Sequence, residues 1–285
     1  GRMFPVETRY LDREPGGRLD DTVAAAVRRA LADEGGSALV FLPGVGEIRR
    51  VEERLRDAGR DVDVAPLYGD LSPADQDRAI ARSPAGRRKV VLATSIAETS
   101  LTIEGVRLVI DSGQMRVPKF SPRSGMTRLE TVRVSQASAD QRRGRAGRLE
   151  PGVCYRLWPE EAQRGLLPFT PPEILDADLA PLALELAAWG TSEAASLPWL
   201  TPPPAASLAT ARALLADLGA VDDGGTITPH GRAMVRLGQH PRLAHLVLKG
   251  RALGQGRVAA LLAAILSERD FLRLPPGQRD ADLRH

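Results

Sequence analysis

The chain has 285 residues, 43% hydrophobic and 26% charged, with a formal net charge of +3. That length and balance describe a globular protein able to bury more than one core, not a disordered or fibrous one. A single cysteine excludes an intrachain disulfide and fits a reducing, cytoplasmic setting, and no apolar run is long enough to span a membrane.

The opening at Gly1 to Met3, with Pro5 leading into strand-like Val6–Tyr10, reads as the middle of a longer polypeptide. Leu19–Asp33 carries Val23, Val27, Ala30 and Leu31 at helical spacing, and Gly35-Gly36 ends it. Ala38–Leu42 is a short, wholly apolar run, as expected of a strand covered on both faces. Pro43-Gly44 then turns the chain into a helix over Glu47–Ala58, followed by a strand at Val64–Tyr68. Ser72 caps a helix with Pro73 in its first turn, running to about Arg82. Lys89–Thr94 and Val106–Ile110 are two more apolar strands. This alternation predicts a parallel sheet with helices on both faces.

After Asp111 the pattern changes. Met115–Phe120 and Met126–Val134 read as a hairpin with arginines at its tip and along its strands, and Gly152–Trp158 as the last strand. Cys154 in that strand reads as core packing. The proline-rich stretch from Pro159 to Pro172 marks a domain boundary. Beyond it, Glu173–Trp189 and Ser207–Leu218 read as amphipathic helices, with Ser207 as cap. Ala220-Val221 and Thr226–Thr228 flank a hairpin-sized turn, the outline of a winged helix. Pro229–Leu237, Pro241–Leu253 and Arg257–Ser267 suggest a helical bundle. His230, His240, His245 and His285 lack metal-ligand spacing and read as caps or surface residues.

Charge is unevenly spread. Between Met115 and Arg148 nine Lys or Arg face only Glu130 and Asp140, a local excess of +7, whereas residues 159–196 carry seven acids against Arg164. The stripe ends in QRRGRAGR, Gln141–Arg148, read here as a helix start after a Ser-rich turn. Arginine forks and outward-facing N–H groups at a helix start would trap an anion. A solvated basic face, or a patch gripping nucleic-acid phosphates without chemistry, is the other reading. Upstream, SIAETSLTIEG, Ser95–Gly105, follows a strand at the end of the sheet where ligands bind. Its hydroxyls can hold sugar-phosphate oxygens, or serve only as caps and turns.

Taken in order, FLPG at Phe41–Gly44, LYGDL at Leu67–Leu71, ATSIAETSLTIEG at Ala93–Gly105 and QRRGRAGR closely resemble motifs IV, V and VI of DEAH-box helicases. LPGVGEI, DSGQ at Asp111–Gln114 and QASADQRRGRAGRLEPG narrow the resemblance to the bacterial HrpB type. It implies that residues 1–158 form a second RecA-like (P-loop NTPase-type) α/β domain, 159–232 a linker and winged helix, and 233–285 the start of a ratchet-like helical bundle. No G-x-x-x-x-G-K-[ST] loop and no DEAH sequence occurs. ATP and magnesium would therefore be held mainly by a first RecA-like domain of the same full-length protein, and this chain would not hydrolyse ATP alone.

By the same resemblance, Gln141 would position the γ-phosphate and attacking water, and Arg145 and Arg148 would be arginine fingers. Gly144, Glu104 (where relatives carry Asp) and Ile80 (where relatives place an aromatic under adenine) would lie at the nucleotide. Arg142 would partner acids within the protein, and Arg143 would lie at the surface. Thr94, Ser100 and Thr102 would hold a single strand of RNA, or of DNA, by its backbone. The basic hairpin, with Arg116, Arg123 and Arg128, would act as a wedge near the strand's 5′ end. The rival readings are a nucleic-acid-binding module without motor activity and a DNA-directed translocase.

Overall fold

The computed structural model describes residues 4–57, 59, 61–99, 103–191 and 193–267, and divides after Pro171 into two compact units. In the first unit the order is β1 (Val6–Leu11), α1 (Leu19–Asp33), β2 (Ser37–Phe41), α2 (Val45–Arg54), β3 (Val62–Leu67), α3 (Pro73–Ile80) and β4 (Arg88–Ala93). β5 (Val106–Asp111), β6 (Gln114–Ser121), β7 (Met126–Arg133), α4 (Gln136–Gly144), β8 (Gly152–Pro159) and α5 (Glu160–Arg164) complete it. Among the described residues six strands form one sheet in the order β1-β8-β5-β2-β4-β3, every pair parallel.

Both faces of this sheet are covered, which is why its strands read as unbroken apolar runs. One face packs Ala38, Val40, Val90, Leu92, Leu108 and Ile110 against Val23 and Val27 of α1 and Ile48 and Val51 of α2. The opposite face packs Leu39, Phe41, Val91, Val109 and Cys154 against Ala79 of α3, Ala97 and Ala146. Burial pushes the Cys154 thiol far up, so it stays an inert part of the core. β6 and β7 pair only with each other, as an antiparallel ribbon standing off the sheet.

The expected strands form, and the differences lie in the helices. The helix expected over Glu47–Ala58 stops at Arg54. The division after Pro171 falls within the expected boundary stretch Pro159–Pro172, and the segment after β8 stays with the first unit. The reason is that the carbonyls of Leu167 and Pro168 accept from the N–H groups of Gln136 and Ala137 at the start of α4.

The second unit contains α6 (Ala180–Ala188), α7 (Ala205–Asp217), α8 (Pro229–Leu237), α9 (Pro241–Ala252) and α10 (Gly256–Ser267). The helix expected over Glu173–Trp189 is a short 3-10 turn, Glu173–Leu175, and then α6. Pro181 in the first turn of α6 lacks an N–H and disfavours a helical residue before it, so the helix starts there. α7 begins at Ala205, which leaves Ser207 inside it and not at the cap. The turn between Val221 and Ile227 closes through one antiparallel bridge, as the hairpin-sized spacing predicts. His240 caps α9 through its ring nitrogen, 3.2 Å from the N–H of Arg242, and also bonds Asp178 at 2.9 Å.

Candidate functional site

The chain leaves β4 at the carboxyl edge of the sheet, passes Thr94, makes a 3-10 turn over Ser95–Ala97 and re-enters at β5. Its described ends therefore lie at opposite edges of the sheet, with Ala97 and Ile103 packed on one of its faces. Thr94 lies half-buried where it starts, and exposed Glu104 lies where it ends, beside the amino end of β5. Ser100 and Thr102 lie outside the described residues.

α4 crosses the same face. Ser135 caps it by accepting from the N–H of Ser138 at 3.1 Å, so the helix starts at Gln136. The expectation that QRRGRAGR opens a helix is thus corrected: its first four residues close one. Arg142 and Arg143 occupy the last turn, where they complement the negative end of the helix dipole, and no ring of free N–H groups faces an anion there. The Ser-x-x-Ser pattern at Ser135 carried the capping signal.

Past α4 the chain meets the amino ends of β1, β5 and β8. The Gly147 carbonyl accepts from the N–H of Phe4 at 2.9 Å. A Cβ at Gly147 would lie 2.6 Å from the Phe4 carbonyl oxygen and 2.6 Å from Val6 Cγ2, so only glycine fits this crossing without a shift. Gly144 is the last, half-buried residue of α4, and Gln141 is exposed on its outer face.

Arg142 is 1% exposed and fully engaged. Its Nη1 bonds Asp111 Oδ1 at 2.8 Å and the Gln114 carbonyl at 3.1 Å, and its Nε bonds Glu98 Oε1 at 2.8 Å. The guanidinium also lies 4.9 Å from the centre of the Phe41 ring. Burial works against its charge, yet Asp111 and Glu98 outweigh that and hold its pKa above the ordinary arginine value. The expected role as an internal partner is what the geometry gives. Arg143 is half-exposed and meets Asp140 only at 3.7 Å.

Arg145 is 8% exposed, and its guanidinium donates to the main-chain carbonyl of Glu98. Burial first, and then the nearby charge of Arg148, draws its pKa below the ordinary arginine value, with Glu98 opposing. Arg148 itself is exposed. The expected pair of fingers is thus a pair of neighbouring cations beside the start of β8, one seated in the fold and one at its surface. Two guanidiniums form a donor set for phosphoryl oxygens and not for a metal cation. Ile80 ends α3, half-buried.

At the carboxyl edge, Arg116 of β6 reaches Glu47 of α2, with Nη2 at 3.3 and 3.2 Å from its carboxylate oxygens. Its guanidinium lies over Gly44, where a Cβ would come 2.7 Å from Cζ. Arg116, expected as a strand contact, also braces the ribbon against the turn after β2. Sequence reasoning missed Glu47 because the pairing is between segments distant in the chain. Arg123 and Arg128 are exposed on the ribbon, as expected.

Residues 22–150 match the family described as helicase conserved C-terminal domain. The chain is 50% identical over 284 residues to the ATP-dependent RNA helicase HrpB of Escherichia coli, covering 99% of this chain and 34% of that protein. It is 36% identical over 281 residues to the probable ATP-dependent RNA helicase DHX34 of Homo sapiens, covering 94% of this chain and 25% of that one. The crystal structure of the Escherichia coli DEAH/RHA helicase HrpB superposes with a TM-score of 0.90 at 50% identity, over 96% of this chain and 35% of that one. This chain therefore spans about a third of the length of HrpB.

Proposed function

Because this chain belongs to the DEAH-box helicase family, in its HrpB branch, we propose that it is the second RecA-like lobe of an ATP-dependent RNA helicase. In this reading it closes a nucleotide site built mainly by a first such lobe and grips one strand of RNA on its own carboxyl edge. The observation that carries the proposal is the seating of Arg145 beside Arg148 on the same sheet face as the Thr94 turn.

ATP would bring a triphosphate and magnesium to the interface, held by the phosphate loop that this sequence lacks. Arg145 and Arg148 would neutralise the charge that develops on the γ-phosphoryl group, Gln141 would orient the attacking water, and Gly144 would let the phosphates approach. Glu104 at the amino edge and Ile80 would border the sugar and base. An aliphatic side chain stacks weakly on a base, so discrimination among nucleoside triphosphates would be loose. Thr94 would hold the strand's phosphate backbone, joined by Ser100 and Thr102, and the exposed Arg123 and Arg128 would meet the strand at its 5′ side. Contacts to the backbone alone give little sequence preference and a steep dependence on salt. One rigid sheet carries both sets of contacts, so opening of the nucleotide site would displace the grip on the strand.

The test is Arg145→Ala in the full-length enzyme. A finger contributes about 10³–10⁵ in rate, so RNA-stimulated ATP turnover should fall by about that factor, to a residual rate still readable in single-turnover assays at high enzyme concentration, while RNA binding stays measurable. Turnover near the wild-type value would remove the finger role. Stimulation by DNA and not by RNA of the same sequence would convert the reading to a DNA translocase.

A further inference from the structure

Glu98 takes no part in the contacts just proposed, yet the bonds from α4 converge on it. Its carboxylate accepts from Arg142, at 2.8 Å from Nε and 2.7 Å from Nη2, and from the Ser138 hydroxyl at 3.0 Å. Its main-chain carbonyl accepts from Arg145. Glu98 also closes the 3-10 turn that begins directly after Thr94. One residue thus ends the strand-side turn, is clamped by its side chain to the body of α4, and holds Arg145 by its carbonyl.

The clamp is stiff at its far end, because Arg142 is itself fixed by Asp111, the Gln114 carbonyl and the Phe41 ring. A displacement of the turn after Thr94 is therefore felt at the Glu98 carbonyl. Arg145 is nearly covered, so its direction is set by that bond and its neighbours and not by solvent.

We infer that Glu98 is a positioning residue that couples the strand-binding turn to Arg145, setting where the guanidinium points according to whether the strand is bound. This rests on the finger reading of Arg145. A strand that shifts Thr94 tilts the turn and moves the carbonyl, and Arg145 is redirected toward the phosphate side. A group displaced by about 1 Å from its productive position loses about 100-fold in rate, so a small tilt is enough to separate resting from strand-stimulated turnover.

The experiment is a double-mutant cycle in the full-length enzyme, reading kcat and KM for ATP at saturating RNA. Glu98→Gln keeps the side-chain size and removes the charge that clamps Arg142. It should lower strand-stimulated kcat about 10- to 100-fold with KM for ATP changed less than about twofold. In an Arg145→Ala background the same substitution should cost less than about twofold, since the step it serves is already gone. Ser138→Ala, which removes one hydroxyl from the clamp and favours the helix, serves if Glu98→Gln does not fold; it should lower kcat about threefold, again only when Arg145 is present. Equal losses with and without Arg145, or no loss of stimulation in a folded variant, would overturn the coupling alone. Near-normal turnover of Arg145→Ala by itself would overturn the finger reading and the coupling with it.

Discussion

Arg142 and Asp111 are both almost without solvent, at 1% and 0% exposure, so each charge depends on the other. Replacing Arg142 by Ala leaves Asp111 buried and uncompensated, and a loss of about 3–5 kcal/mol is expected in the urea unfolding of this chain. Arg143→Ala, one residue on, should stay within about 0.5 kcal/mol because its contact with Asp140 is loose and half in water. Gly147→Ala is expected to cost about 1–3 kcal/mol, since the new methyl must push back the start of β1. The resemblance implies internal acid partners for Arg142 but not which ones. Glu98 closes a 3-10 turn and Asp111 ends β5, and pairing between such distant segments leaves no periodic trace.

At the scale of elements, the β6–β7 ribbon sets Lys119 directly opposite Arg128, an arrangement that disfavours pairing. Glu130, 3.4 Å from Lys119, offsets part of it. A bound phosphate backbone would offset the rest, and in the free protein replacing Arg123 and Arg128 by Ala should leave the unfolding midpoint unchanged or slightly raised. The same pair of changes should flatten the dependence of log Kd for single-stranded RNA on log salt by about 1.4, and an unchanged slope would take the ribbon out of the strand's path. In the second unit His230 Nε2 lies 3.0 Å from His245 Nδ1. Burial, with His245 and Lys249 nearby, lowers the His230 pKa below its unfolded value of about 6.5. Its contribution to stability is therefore full above that pH and is lost as pH falls through it. Unfolding midpoints should drop between pH 7 and pH 5, and His230→Asn should flatten the drop. Strands and most helix ends were legible because apolar runs, Ser72 and the prolines encode them locally. The start of α4 was misplaced because Ser135 reads equally as a turn residue and as a cap.

For the whole molecule, two units fold around separate cores, and the chain matches about a third of HrpB. Without a phosphate-loop sequence the chain by itself is expected to release no phosphate from ATP above a heat-denatured control, with or without RNA. The proposed division of labour, strand at Thr94 and phosphate at Arg145, rests on the motif order that the resemblance supplies. Placing Glu104 beside the start of β5 and Arg145 against the Glu98 carbonyl required the fold itself. The central claim is that Arg145 supplies positive charge to a nucleotide seated on a neighbouring lobe. Its most direct test is a structure of the full-length enzyme with RNA, ADP, magnesium and a fluoride mimic of the γ-phosphoryl group. The Arg145 guanidinium is expected within about 3 Å of the mimic. Arg145 turned away from the mimic, with the mimic neutralised by other groups, would contradict this.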